Sequence, residues 1–337
     1  MPITVFNTLA ALVPVLLFLA ALTFMDTFRL VRPNAIARAL VYGAIAAAAS
    51  LWLNEWLQHT VHVPTWIVRR YIAPTLEETA KAALIAALIW SGRVGFLVDG
   101  AVQAFAIGTG FAVVENIWYL RSLTDTSFAL WFVRGFGTAV LQGATTTLFA
   151  ILSKSLADRQ PDRLASAFLP GWALAVAIHS AFNHRFLPPV AETLLLLIVL
   201  PLLVIAVFER SERATREWIG AGLDLDIELI DLMKSPDFAF TRFGRYLQEL
   251  RARMPGPIVA DMFCLLRLEL ELSVQAKAML IAREAGLDLP VSADLEASLT
   301  ERRHLQESIG KVGLLALKPL QITSHRDTWH RHLLKHR

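Results

Sequence analysis

Residues 97–120, LVDGAVQAFAIGTGFAVVENIWYL, carry the clearest indication of how this chain folds. The run is 24 residues long and holds only two charged side chains, Asp99 and Glu115. About 20 predominantly apolar residues are enough for a helix to cross the hydrocarbon core of a bilayer. Gly108 and Gly110 lie in its middle, where small residues allow helices to approach closely. The run therefore predicts a transmembrane helix packed inside a bundle.

Six further apolar runs of similar length lie on both sides of this one. Their ranges are 4–25, 37–58, 70–90, 127–153, 165–187 and 189–208. The alternation of apolar and polar residues that is typical of strands is not evident in the sequence. We therefore expect an all-α fold, in which a polytopic bundle of about seven transmembrane helices precedes a helical cytoplasmic domain.

Composition divides the 337 residues into an apolar part and a charged part. Hydrophobic residues make up 55% of the chain, and the mean hydropathy is +0.50, which is too apolar for an ordinary soluble protein of this size. Residues 1–208 hold 23 charged side chains, whereas the 129 residues of 209–337 hold 38. These two ranges are the predicted transmembrane and cytoplasmic domains.

The charged part is predicted to be an interaction or regulatory module with an unknown cytoplasmic partner. Its helices are amphipathic, and it has 19 basic and 19 acidic side chains. The net charge of +3 thus comes wholly from residues 1–208, so we expect no nucleic-acid partner. The chain has one cysteine, Cys264, which excludes an intrachain disulfide.

The charges of the loops predict the orientation in the cell membrane. Loops on one side of the seven predicted spans carry ten Lys and Arg residues, and loops on the other side carry four. Cytoplasmic loops are enriched in Lys and Arg, so the first side is expected to be cytoplasmic. With an odd number of spans, the N-terminus then lies outside and the C-terminus inside.

Polar side chains interrupt the middle spans in three clusters. The clusters are Glu77, Glu78 and Lys81; Glu115 and Asn116; and His179 and Asn183. Given the predicted orientation, all three lie within a few turns of the outer surface, and Arg134 in the fifth span falls at a similar depth. Ionisable groups are costly inside a membrane and usually serve function. We therefore expect these clusters to meet in one polar pocket, although a buried ion-pair network that only stabilises the bundle is the simpler alternative.

The residue types in these clusters suit the hydrolysis of a peptide bond. A glutamate acting as general base, with a histidine as a second polar group, activates water against a carbonyl carbon. The amide of Asn183 can donate a hydrogen bond to the oxyanion that forms. Zinc bound by glutamate and histidine is an alternative, although the sequence contains no His-Glu-x-x-His motif.

Together the motifs of residues 70–187 resemble the PrsW family of intramembrane proteases, distant relatives of the CAAX-processing prenyl endopeptidases. The resemblance is carried, in order, by Ala73-Pro74, Glu77-Glu78-x-x-Lys81, Asp99-Gly100, Gly108-x-Gly110-Phe111-Ala112-x-x-Glu115-Asn116-x-x-Tyr119 and His179-x-x-x-Asn183. It implies a membrane endopeptidase that cleaves single-span, membrane-anchored proteins, with anti-sigma factors as the best-known substrates. It also implies that Glu77 or Glu78 is the catalytic glutamate and that Glu115 and His179 complete the site.

One position departs from the family pattern. Relatives usually place a histidine in the fifth span after the arginine that corresponds to Arg134, whereas this chain has Gln142. Glutamine hydrogen-bonds but is neither an acid, a base nor a common metal ligand. We therefore expect no cofactor, and assign Lys81, Asn116, Arg134 and Gln142 supporting roles. Family members have been described both as metalloproteases and as metal-independent glutamic proteases, and a zinc ion would here be bound by Glu78, Glu115 and His179.

The two adjacent glutamates are expected to have different roles. Neighbouring residues on a helix point about 100° apart, so only one of them faces the pocket. We expect Glu78 to be the base, and Glu77 to be the anchoring residue that Lys81 or a hydrogen bond holds. Two other functions stay open: a catalytically inactive scaffold or receptor, which Gln142 favours, and a transporter that uses intramembrane carboxylates.

Overall fold

The computed structural model describes residues 5–122, 127–159, 164–287, 293–317 and 319. In these ranges the chain forms helices and no strand, which confirms the predicted all-α fold. The chain divides into two compact units at Ser211. Helix α9 runs through this boundary, which is close to the change in composition after residue 208.

The first unit contains eight α-helices and the beginning of a ninth. They are α1 (Val5–Phe24), α2 (Pro33–His59), α3 (Thr65–Ile67), α4 (Ala73–Trp90), α5 (Leu97–Ser122), α6 (Phe128–Phe132), α7 (Ala139–Arg159), α8 (Leu164–His184) and α9 (Pro189–Lys234). Two π-helical segments, Val68–Ile72 and Val133–Thr138, join α3 to α4 and α6 to α7. Wide π-turns of this kind are frequent at functional sites.

Six described helices are long and apolar enough to cross a membrane, one fewer than predicted. They are α1, α2, α5, the run Ala129–Arg159 that includes α7, α8 and α9. The missing one is α4, an 18-residue helix that is excluded by the three charged side chains in its first half, Glu77, Glu78 and Lys81. Helix α3, the π-segment and α4 nevertheless form one continuous helical run over residues 65–90, which has the length of a membrane span. The chain is thus a multi-pass membrane protein whose charged helix is embedded among apolar ones.

Helix α5 is the central helix of the first unit. Every residue from Val98 to Ala112 is buried. A Cβ atom on Gly108 would lie 2.3 Å from the carbonyl oxygen of Gln142, and one on Gly110 would lie 2.0 Å from that of Leu40. The glycines therefore bring α5 into backbone contact with α7 on one face and α2 on another, as small residues do in membrane bundles.

The second unit is built from the end of α9, a 3₁₀ turn (Pro236–Phe240), α10 (Arg242–Arg251), α11 (Gly256–Glu284) and α12 (Ala293–Leu317). Met262, Leu272 and Leu280 of α11 are buried in its core. The ammonium of Lys277 is also buried, and it lies 2.7 Å from Asp226 Oδ2. A buried charge is tolerated when it is paired in this way.

Candidate active site

Glu78 lies at the centre of a buried hydrogen-bonded cluster. Its Oε1 atom accepts from Lys81 Nζ at 2.6 Å, from His179 Nδ1 at 2.7 Å and from Thr145 Oγ1 at 3.0 Å. Glu78 is 2% exposed and Lys81 is 0% exposed. Three partners from α4, α7 and α8 therefore hold one carboxylate oxygen, and Glu78 has the environment of an anchored structural anion.

The second glutamate is held much more loosely. Glu77 Oε2 accepts from Gln142 Nε2 at 3.3 Å and lies 3.8 Å from His179 Nε2. The other oxygen, Oε1, lies 3.5 Å from Asn54 Nδ2, which is the long limit for a hydrogen bond. Lys81 thus pairs with Glu78 and not with Glu77, opposite to the expected arrangement. A lysine can pair with a glutamate three or four residues before it on a helix. The hydrogen bonds from α7 and α8 to Glu78 place that carboxylate, rather than Glu77, beside Lys81.

Gln142 joins the carboxylates of two helices. Its amide nitrogen donates to Glu77 Oε2 at 3.3 Å and to Glu115 Oε2 at 3.0 Å. Its amide oxygen accepts a short hydrogen bond from Lys81. A carboxamide can make these contacts at once because it carries both a donor and an acceptor. Gln142 therefore bridges three charged members of the cluster, Glu77, Glu115 and Lys81.

Arg134 closes the cluster on the side of Glu115. Its guanidinium lies 3.3 Å from Glu115 Oε1, and its Nε donates to Asn116 Oδ1 at 3.0 Å. The same guanidinium stacks over the Tyr119 ring, 3.6 Å from the ring centre. Asn116 also donates to the Ala11 carbonyl oxygen at 2.7 Å, so this part of the cluster ties α1 to α5 and to the second π-segment.

Asn183 does not join the cluster, although the sequence placed it there. Its amide donates to the Arg69 carbonyl oxygen at 2.9 Å, and Ser180 Oγ donates to the Arg70 carbonyl oxygen at 2.6 Å. Both acceptors belong to the π-segment Val68–Ile72, whose altered bonding turns main-chain oxygens toward α8. Asn183 lies on the same face of α8 as His179 but one turn closer to the helix end. It therefore meets this backbone instead of Glu77 or Glu115.

Two residues of the cluster were missed by the sequence analysis. Thr145 bridges toward Glu78, and Asn54 of α2 lies beside Glu77. The signal for Asn54 is a carboxamide near the end of the largely apolar run 37–58. Thr145 belongs to a Thr-Thr-Thr sequence and gives no comparable signal, because threonines commonly bond their own helix backbone.

The zinc ligands suggested by the sequence do not form a metal site. Within the described ranges, no three His, Cys, Asp or Glu side chains are placed to hold one metal ion. The Lys81 ammonium is bonded to Glu78 Oε1, where it would repel a cation. Glu115 instead faces Arg134 and the Gln142 amide. This arrangement of donors does not fit zinc, which requires three or four converging ligands.

A family model described as PrsW family intramembrane metalloprotease matches residues 32–208, more than half of the chain. This range includes all the cluster residues and α2 through the apolar part of α9. No curated protein and no solved structure matches the chain.

Proposed function

We propose that this chain, which belongs to the PrsW family of intramembrane metalloproteases, hydrolyses peptide bonds of single-span, membrane-anchored proteins with a glutamate-activated water molecule. The observation that carries this proposal is the pair formed by Glu77 and His179. Glu77 Oε2 and His179 Nε2 are 3.8 Å apart, so one water molecule can lie at about 2.8 Å from both, an ordinary hydrogen-bond distance.

Glu78 orients the His179 ring toward the position proposed for the water molecule. Because Glu78 Oε1 lies 2.7 Å from Nδ1 of His179, the Nδ1–H group of the ring donates a hydrogen bond to this carboxylate. The other ring nitrogen, Nε2, faces Glu77. A carboxylate that fixes the tautomer and orientation of a histidine is a common feature of catalytic sites.

We therefore assign the base to Glu77 and the anchoring role to Glu78, the reverse of the expectation from sequence. The Glu77 carboxylate takes a proton from the water as the water oxygen bonds to the scissile carbonyl carbon. The proton then passes to the amide nitrogen while the carbon–nitrogen bond breaks, which yields a carboxyl group and an amine. Glu77 is the suitable base because its contacts are long, whereas Glu78 is neutralised by Lys81.

The remaining residues of the cluster position the three carboxylates and balance their negative charge. Gln142 holds Glu77 and Glu115 near each other without adding a further charge. Arg134 supplies a positive charge to Glu115, and Lys81 supplies one to Glu78. Two positive side chains thus balance two of the three carboxylates and leave Glu77 as the one available for proton transfer.

The test is cleavage by the purified full-length chain in liposomes. A panel of single-span membrane proteins, including anti-sigma factors, is incubated with wild type, with Glu77→Gln and with Glu55→Gln, an exposed glutamate of α2 that serves as the matched control. We expect wild type and Glu55→Gln to cleave the same substrate, and Glu77→Gln to be inactive. Equal cleavage by Glu77→Gln would refute the assigned base.

A scaffold is the second candidate function, because Gln142 stands where relatives have a histidine. It is distinguished in the same liposomes by binding without cleavage. If wild type retains a single-span protein on co-purification but cuts none of the panel, with or without added zinc, the scaffold replaces the protease.

A further inference from the structure

The side-chain amide of Asn54 makes few hydrogen bonds to the described residues. Asn54 lies on α2 beside Glu77, and among the described residues the hydrogen-bond contact of its Nδ2 atom is the 3.5 Å contact to Glu77 Oε1. Its Oδ1 atom is buried and has no hydrogen-bond partner among the described residues. Buried amide oxygens are nearly always hydrogen-bonded, because an unmade bond costs free energy. An exception next to the proposed base calls for an explanation.

The orientation of this carboxamide follows from its neighbour. If the amide were flipped, Oδ1 would face Glu77 Oε1, and two acceptors would oppose each other. Nδ2 therefore faces Glu77, and Oδ1 is the atom left without a partner. What is missing at Oδ1 is a donor, and the donor must reach a position close to Glu77.

We propose that Asn54 binds the backbone of the substrate next to the scissile bond. This inference rests on the proposed function, and it names the residue that holds the peptide over Glu77. Oδ1 accepts a hydrogen bond from a substrate backbone N–H group. Nδ2 gives up its long contact to Glu77 and donates to a neighbouring substrate carbonyl oxygen. A carboxamide is suited to this because it presents the same donor and acceptor pair as a peptide group.

The same geometry selects the conformation of the substrate. In an α-helix the backbone N–H and C=O groups are already bonded to each other four residues apart. Asn54 can therefore bind only a segment whose peptide groups are free. The substrates implied are membrane segments that are extended or locally unwound at the cleavage site, rather than uninterrupted helices.

Asn183, the amide that the sequence suggested for substrate binding, is not available for this. Its amide nitrogen already donates to the Arg69 carbonyl oxygen. Asn54 is on a different helix, but it is the amide whose nitrogen approaches Glu77 without a strong bond of its own. Residue type alone suggested Asn183 of α8 as the substrate-binding amide, whereas the contacts favour Asn54 of α2.

The test compares amide and ester substrates. Synthetic single-span peptides are made in which one backbone amide at a time, at positions flanking the scissile bond, is replaced by an ester, which removes one N–H group. For wild type we expect the ester at one position to lower kcat/KM about tenfold, the loss typical of one hydrogen bond. For Asn54→Leu, which is similar in size but can neither accept nor donate, we expect kcat/KM to be about 10–100-fold lower with the amide substrate and the ester to cause no further loss.

The ratio of amide to ester cleavage keeps the test independent of folding. Both substrates are measured on one sample, so a lower folded fraction of Asn54→Leu changes both rates equally. A merely structural contact between Asn54 and Glu77 would also lower both rates equally and leave the ratio at its wild-type value. Gln58→Met, one turn along α2, is the matched control and should retain the wild-type ratio.

The outcomes separate this inference from the proposed function. If wild type and Gln58→Met cleave, Glu77→Gln does not, and Asn54→Leu shows the wild-type preference for the amide at every position, then Asn54 does not bind the backbone and only this inference fails. If wild type cleaves no substrate, the proposed function fails, and the inference that rests on it fails as well.

Discussion

The ammonium nitrogen of Lys81 lies 2.6 Å from Oε1 of Glu78, and neither side chain is more than 2% exposed. This ion pair gives the two adjacent glutamates different environments. Glu78 is neutralised and bonded on one oxygen by three partners. Glu77, one residue earlier, has a carboxylate whose polar contacts to the described residues are 3.3 Å or longer. Because a buried charge without its partner is strongly unfavourable, the pair also makes Glu78 the residue on which stability depends.

Substitution of the two glutamates by glutamine should separate activity from stability. Glu77→Gln removes the proposed base, and we expect the cleavage rate to fall about 10²–10⁴-fold with little change in thermal stability in detergent. Glu78→Gln leaves Lys81 buried beside a neutral amide, and we expect a loss of unfolding free energy on the order of 3 kcal/mol together with a loss of cleavage. If Glu78→Gln were as stable as wild type but inactive, and Glu77→Gln remained active, the roles would have to be exchanged.

Removal of the partner charge should restore the stability of the Glu78 variant but not its activity. The double variant Glu78→Gln/Lys81→Met contains neither buried charge, so we expect it to be more stable than Glu78→Gln alone by about 1–3 kcal/mol. It should still not cleave, because His179 loses the carboxylate that orients it. A double-mutant cycle of detergent unfolding midpoints measures this coupling. Additive effects of the two substitutions would show that the ion pair contributes nothing.

A single methyl group at Gly108 should displace the cluster. The added Cβ atom would lie 2.3 Å from the Gln142 carbonyl oxygen and 2.5 Å from Gly143 Cα, distances that force α5 and α7 apart. Gly108→Ala should therefore lower both stability, by about 1–3 kcal/mol as overpacking does, and cleavage. Gly220→Ala is the control, since its Cβ would contact nothing within 4 Å. A Gly108→Ala variant with wild-type unfolding and activity would contradict the close approach of the two helices.

Cleavage should persist in the presence of a strong chelator. We expect this because Gln142 is a poor ligand and the Lys81 ammonium is bonded to the Glu78 carboxylate, so the mechanism proposed here relies on Glu77 and His179. The measurement is the cleavage rate of wild type after dialysis against chelator, with and without added zinc. Loss of cleavage that zinc specifically restores would show that the protein is a metalloprotease, as the name of its family states, and that the cluster rearranges around the ion.

The number of spans and the orientation are tested together by reporter fusions at both ends of the chain. The loop charges predict an outside N-terminus and a cytoplasmic C-terminus, which requires that the helical run 65–90 crosses the membrane as a seventh span. If that run did not cross, the six apolar helices would place both termini on the same side. Fusions that report the same side for both termini would therefore reject the seventh span, and a C-terminus outside would reject the orientation.

The apolar runs alone were sufficient to predict the kind of fold. A run of about 20 apolar residues has few alternatives to a membrane helix, because backbone groups in a bilayer must be bonded within the segment. The same reasoning identified most of the polar cluster, since Glu77, Glu78, Glu115 and His179 are conspicuous where charges are costly. These conclusions depend only on residue type and on position along the chain.

Which of these side chains contact each other was decided by the tertiary structure. Lys81 can reach a residue three or four positions before it, so helical spacing allows it to pair with either Glu77 or Glu78. The bonds that Thr145 and His179 on other helices donate to Glu78 place that carboxylate beside Lys81. Asn183 lies outside the cluster because its amide bonds to a carbonyl oxygen of the π-segment Val68–Ile72. Asn54 joined it because glycines allow α2 to pack closely. Such contacts depend on how helices far apart in sequence are rotated and spaced, and helical periodicity by itself does not contain that information.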